Sequence, residues 1–228
     1  MKNRRFTDEL RQYVNPIWKA IHEHECINKL GDGTLEIEKY RYFLVQDYLY
    51  LEEYGKVLAL TAIKAPKAEI SENLLSRTVS TLLKEKTFIL EEAQAHGVSR
   101  KDIGLAIKAP TIQAYTDFMI RTAALGSCSE AMAALLVCNW NFHEIGIKLS
   151  HTSCPANAPC INWVKMYTSS ILSESVKWYR ESLDVLAEGL PQRELLLIKK
   201  AFITGSRYEY LLWNAVNTLE MWADCYNI

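Results

Sequence analysis

Apolar residues recur at three- and four-residue intervals along almost the whole chain, the period of a helix that buries one face. Thr7 stands as a cap before a first helix that carries Leu10, Tyr13, Val14 and Ile17 toward about His24. The GDGT run at 31–34 interrupts the pattern, and a long helix is predicted from about Leu35 to Lys64. A further helix spans 70–96 and stops at His96-Gly97; Ser99 caps a short one, and Pro110 opens a helix running to Leu125. Ser127 and Glu130 have the spacing of a capping box at the head of a helix reaching about Ser150. CPANAPC at 154–160 reads as a loop. Helical pattern resumes from about Pro159 to Glu188 with a break near Thr168, and a last helix runs from Pro191 to about Ala223. The chain shows no period-two stretch of strand length, no repeat and no low-complexity tract. Short connections imply antiparallel neighbours, so the expectation is an all-α bundle forming one domain over 1–228.

Composition narrows this further. The 9 glycines and 6 prolines among 228 residues are well below ordinary usage, which argues against turn-rich sandwiches and propellers. An apolar fraction of 49% excludes a disordered chain. The net charge of −1 gives no basic excess for nucleic acid or a membrane surface. The longest mainly apolar run, 131–142, is shorter than the ~20 residues of a membrane span, and the basic N-terminus is followed by no apolar stretch. A soluble, cytoplasmic protein is expected, with its six cysteines as free thiols. Cys154 and Cys160, near His151, lack metal-ligand spacing, as does HEHEC at 22–26. GDGT follows no strand and is no phosphate loop. KEK at 84–86 and EE at 91–92 read as solvated helix surface.

Three helices carry a chemically active side chain on a face that should be core. Phe43, Asp47, Tyr50 and Tyr54 share one side of their helix, placing a carboxylate among rings, where an unpaired charge costs several kcal/mol or is protonated. Either a Tyr or Arg satisfies Asp47, or it faces a ligand. Leu135, Cys138, Phe142, Ile145 and Leu149 form a second stripe. There Cys138 is either an inert small hydrophobe or a nucleophile activated from another helix, because His143 lies ~100° away around its own helix. Phe202, Gly205, Glu209, Trp213 and Val216 form a third, which gives Glu209 a setting that raises a carboxyl pKa toward acid–base use, unless an ion pair occupies it. Two carboxylates, a thiol and aromatic rings on inward faces suit a flat, apolar, nitrogenous ring.

The segments GDGTL 31–35, RYFLVQDYLYLEEY 41–54, PTIQAYTDF 110–118, LLVCNWNFHEIG 135–146, WVKMY 163–167 and FITGSRYEYLLW 202–213 together resemble the TenA (thiaminase II) family, whose fold is haem-oxygenase-like. The resemblance covers nearly the whole chain. It implies hydrolysis of aminopyrimidines, and in many members thiamin, to the hydroxymethylpyrimidine unit. It also implies Cys138 as nucleophile, Glu209 as catalytic glutamate, and Asp47, Tyr50, Tyr115 and Tyr167 around the substrate, with no metal or organic cofactor. The alignment is loosest at Tyr167. Phe142 stands where tyrosine is common, keeping the stacking surface without the hydroxyl, and Phe43 lies on the same aromatic stripe as Asp47. Asn214 stands where aspartate is frequent. Retention of Cys138 places the chain nearer the thiol-using branch.

Two other functions fit the same residues: a pyrimidine-binding or regulatory protein without turnover, and an oxidase of the haem-oxygenase-like fold, for which His22 and His24 are the only foothold. Six tryptophans and twelve tyrosines exceed what a modest bundle should need in its core. Some are therefore expected at subunit contacts, and the resemblance implies a homotetramer.

Overall fold

The computed structural model of the protein describes residues 5–152 and 160–223. Within them there are helices and no strands. Helices α4 (Ile37–Ala62), α8 (Pro110–Leu125), α9 (Cys128–Ser150) and α12 (Gln192–Thr218) all contact one another and form the centre. Around them, α1 (Phe6–Tyr13), α2 (Asn15–His22) and α3 (Glu25–Asp32) pack on α12, while α5 (Ala68–Ser80) and α6 (Lys86–Ala95) pack on α4. Two helices, α10 (Cys160–Tyr167) and α11 (Ser170–Ala187), lie on α9, and α7 (Arg100–Leu105) precedes α8. The all-α bundle is therefore as expected. No described helix is long and apolar enough to cross a membrane.

Several punctuation marks act as the sequence implies. The Ser127–Glu130 capping box closes both ways, with Glu130 N–H donating to Ser127 Oγ at 3.2 Å and Ser127 N–H donating to Glu130 Oε1 at 2.9 Å. Ser99 caps α7, and Ser169 marks the break near Thr168 by capping α11. The loop expected from Cys154, together with Cys154 and Cys225 themselves, lies outside the described residues. Cys26, Cys128 and Cys138 are free thiols.

Other boundaries differ, each for a physical reason. The expected first helix is two, because Pro16 lacks the N–H that would continue α1 and instead sits in the first turn of α2. Thr7 is no cap. Its N–H donates to Asp184 Oδ1 at 2.8 Å, so a carboxylate from α11 satisfies the start of α1. Residues 25–32 form α3, started by His24, whose Nδ1 accepts the Cys26 N–H. The last helix stops at Thr218, where Leu219 turns left-handed (φ 52°) and Glu220 Oε2 accepts the Thr111 N–H in the first turn of α8. Between α5 and α6 the helix does not run regularly: Thr81–Glu85 is a π-helical turn. Glu92, taken as surface, is buried, accepting from Tyr40 Oη and Asn162 Nδ2, each at 3.1 Å. The tryptophan surplus is largely absorbed by the core, since Trp18, Trp140, Trp163 and Trp213 are all buried within the chain.

The position of α10 rests on one close approach. A Cβ at Gly146 of α9 would lie 2.9 Å from Tyr167 Cβ and 3.0 Å from its carbonyl carbon. Backbone cannot swing aside as a flexible side chain can. Gly146→Ala is therefore expected to lower stability by about 1–3 kcal/mol, the usual cost of overpacking, and to displace Tyr167. Calorimetric melting checks the first effect, and a melting temperature equal to wild type would show that α10 yields freely.

Candidate active site

A cavity of about 380 Å³ opens between the central helices and the α5–α6 arm. From α4 it receives Asp47, Tyr50 and Tyr54; from α9, Cys138, Asn139 and Phe142. Tyr167 comes from α10, Glu209 from α12, and Glu85 from the π-helical turn. The stripes read from helical spacing thus converge. Two expected members do not line the space. Tyr115 is fully buried behind Glu209, and Phe43 stacks on Trp213 (5.4 Å, 9°) and on Phe142 (6.4 Å, 24°) from behind. Their influence passes through the residues they hold.

Glu209 is the best defined group. Its side chain is 0% exposed, and Tyr115 Oη donates to Oε1 at 2.7 Å. Oε2 has no hydrogen-bond partner of good geometry. Burial pushes its pKa up from 4.5 to about 7, against the opposing pull of the Tyr115 hydroxyl and the nearby Cys138 thiol. Among the described residues no ion pair occupies it, which leaves the structural alternative raised by the sequence without a partner there. Cys138 is itself pushed well above the usual thiol range, first by burial and then by the charge of Glu209, with the Tyr50 hydroxyl opposing. The resting thiol is therefore protonated. His143 is turned away, its Nδ1–H donating to the Tyr167 carbonyl at 2.9 Å.

Asp47 is 9% exposed and its Oδ2 has no protein partner. Burial raises its pKa well above the ordinary value, reinforced by the charges of Glu85 and Glu209. No tyrosine or arginine satisfies it. Phe142 presents its ring beside Tyr167 (4.9 Å) and is backed by Trp163 (5.8 Å) and Trp213 (6.0 Å).

Sequence reasoning missed part of the wall. Glu85, read as surface within KEK, faces the cavity because the wider π turn shifts the residues after it around the helix. A polar chain was also missed. Tyr54 Oη donates to the Leu135 carbonyl at 3.3 Å and accepts from Asn139 Nδ2, Asn139 Oδ1 accepts from Ser175 Oγ, and Ser175 Oγ accepts from Arg77 Nη1. The π turn leaves no mark in a 3.6-residue pattern, and the polar chain joins helices far apart in sequence. His22 and His24 do not line the cavity, and His24 bridges the Cys26 amide and Asn214 Oδ1. The foothold for a haem-type oxidase is thereby lost. Among the described residues, no group of three or more His, Cys, Asp or Glu side chains is arranged to hold a metal ion.

A sequence profile of the TENA/THI-4/PQQC family matches residues 11–218. The chain belongs to that family. Among curated TenA-type relatives, the aminopyrimidine aminohydrolase of Halalkalibacterium halodurans is 32% identical over 95% of this chain and 97% of its own length. That of Helicobacter pylori is 31% identical over 90% of this chain and 95% of its own. The TenA homologue protein from P. horikoshii superposes with a TM-score of 0.86 at 27% identity, covering 93% of this chain and 98% of its own. A protein of Shewanella denitrificans described as having a heme oxygenase-like fold superposes at 0.75 and 13% identity, covering 93% and 92%, which shares the fold.

The raised Glu209 pKa makes a stability statement about this TenA-family chain. The folded state holds that proton more tightly than the unfolded chain does. The group therefore adds stability that is complete below about pH 4.5 and is lost as pH rises through about 7. Glu209→Gln, neutral at every pH, should melt above wild type at pH 8 and converge with it near pH 5. A variant that melts below wild type at pH 8 would show that the carboxylate supports the core.

Proposed function

We propose that the protein is an aminopyrimidine aminohydrolase (thiaminase II) of thiamin salvage. It converts 4-amino-5-aminomethyl-2-methylpyrimidine, and thiamin, to the corresponding hydroxymethylpyrimidine. The observation that carries this reading is the buried Glu209 carboxyl, poised at about 7, against the Cys138 thiol in one cavity. Full-length similarity to aminopyrimidine aminohydrolases supports it. The cavity volume suits a small heteroaromatic ligand.

A preformed thiolate is not part of the mechanism, because the thiol is raised rather than lowered. Ionised Glu209 takes the Cys138 proton and passes it to a pyrimidine ring nitrogen as sulfur adds to a ring carbon. Electrons from the dearomatised ring expel the amine, or the thiazole, from the exocyclic methylene. Water adds there, the ring returns its proton through Glu209, and the thiol leaves. Tyr115 holds Glu209 in place through Oε1. Asp47 accepts from the exocyclic amino group with its free Oδ2, Tyr50 orients the thiol, and Phe142 and Tyr167 supply the stacking surface. Phe43 supports Phe142 from behind.

Cys138→Ala removes the nucleophile and little volume, so hydrolysis should disappear while pyrimidine binding persists. Glu209→Gln should cut kcat by about 10²–10⁴-fold, the range for losing an acid–base group. Turnover near wild type in the alanine variant, measured by product chromatography, would overturn covalent catalysis and favour the binding-protein alternative.

The same reading includes a cytoplasmic homotetramer. The tetramer is supported by apolar side chains that the isolated chain leaves exposed away from the cavity, among them Ile63 at 76%, Leu125 at 75% and Leu105 at 72%. Light scattering at micromolar concentration should give four times the chain mass, and a monomer would remove the claim.

A further inference from the structure

Glu85 is the one cavity carboxylate to which the mechanism gives no work. It sits on the π-helical turn, half-buried, and among the described residues its hydrogen bond comes from Thr81 Oγ1, which donates to Oε2 at 3.3 Å. It forms no ion pair with a described residue. Neither do Asp47 and Glu209, although each has a carboxyl oxygen without a partner facing a cavity they share with Glu85. Two cations line the same space. The Arg77 guanidinium is held by Ser175 and lies over Trp178 (4.4 Å) and Tyr179 (5.0 Å), and Lys84 is exposed; neither pairs with any of the three carboxylates. The negative charge of Glu85 acts on the titration of Asp47, Cys138 and Tyr167. It therefore reaches both the pyrimidine contacts and the sulfur.

Three acids in one cavity, none of them paired with the cations that line it, are costly unless the ligand brings positive charge. They are not arranged to hold a metal ion. Both proposed substrates carry a positive nitrogen on the carbon that reacts: a protonated primary amine in the aminomethylpyrimidine and a thiazolium in thiamin. The hydroxymethyl product carries none. We propose that Glu85 is a specificity residue that recognises the cationic leaving group, so that the cavity holds substrate more tightly than its neutral product. This rests on the aminopyrimidine reading above. Burial pushes the Glu85 carboxyl up, and a cation beside it opposes that shift. The attraction fades once the amine or thiazole has left, which favours product release.

The test is calorimetric binding at pH 7.5 to the full chain carrying Cys138→Ala, which blocks turnover, with Glu85 intact or changed to Gln or Asp. The probes are the aminomethylpyrimidine, thiamin and the hydroxymethylpyrimidine. With Glu85 intact, both cations should bind more tightly than the neutral product. Glu85→Gln should weaken the cations by about tenfold or more, as expected when one member of a buried charge pair is neutralised, and leave the neutral ligand within about twofold. Glu85→Asp should keep part of the preference. Equal binding of cationic and neutral ligands with Glu85 intact would overturn the proposal even if Glu85→Gln failed to fold. Equal weakening of all three by Glu85→Gln would also overturn it and make the residue structural. Failure of every pyrimidine to bind the protein with Glu85 intact would instead overturn the aminopyrimidine reading on which it stands.

Discussion

The close packing of α12 on α9 is the constraint on which the site depends. Gly205 faces Val137 across that contact, and a Cβ there would lie 3.3 Å from Val137 Cγ2. The following residue on each helix has another task. Ser206 Oγ accepts from Trp18 Nε1 at 2.9 Å, fastening α12 to α2, while Cys138 turns into the cavity. One helical turn beyond Gly205, Glu209 arrives beside Cys138 with its side chain fully buried. A larger residue at Gly205 would press on Val137 and push the helices apart, loosening both the thiol–carboxyl approach and the burial that raises the two pKa values. Geometry and electrostatics at the site therefore share one origin in helix packing.

The surrounding rings keep that arrangement rigid. Phe43, Phe142, Trp163, Tyr167 and Trp213 form a continuous stack behind and beside the cavity. Such rings bury large apolar area with few rotatable bonds. They also leave polar atoms without partners, including Trp163 Nε1 and Trp213 Nε1 as well as the carboxyl oxygens of Asp47 and Glu209. Each orphan costs stability. The two that belong to cavity carboxylates fit a site where stability is surrendered for binding and reaction.

Much of this was legible in the helical spacing, and the reason is local. Asp47, Cys138 and Glu209 each interrupt a strongly apolar stripe on a long helix, and long helices have one buried face that a 3.6-residue period identifies. Packing the three buried faces together then brings the interruptions into contact. Glu85 escaped because its helix is not regular: the π turn at Thr81–Glu85 changes the period, so a residue within a charged run faces inward. Glu92 escaped for another reason, its partners Tyr40 and Asn162 being supplied by distant elements. Boundaries differed where tertiary groups replaced local caps, as when Asp184 satisfied Thr7, and where the last helix ended at a left-handed Leu219, freeing Glu220 to reach Thr111. Tyr115 and Phe43 lie one layer behind the cavity wall. Spacing gives the face of a helix and not the depth at which a side chain ends.

Depth also decides how the cysteine can react. A thiolate waiting in this cavity would face the charge of Glu209 with no lysine, arginine or histidinium to hold it, so the resting proton stays on sulfur. The carboxyl, at about 7, is the better resident for that proton only when something draws the proton onward. A bound pyrimidine supplies such an acceptor in its ring nitrogen. In the proposed mechanism nucleophile formation is coupled to occupancy: sulfur becomes reactive as the ring becomes electrophilic, through one proton moving along Cys138, Glu209 and the ligand. A buried thiol of this kind resists adventitious oxidation and alkylation between turnovers, since both require the thiolate. The burial that makes Cys138 look inert on its stripe is therefore compatible with its chemistry and restricts that chemistry to an occupied site.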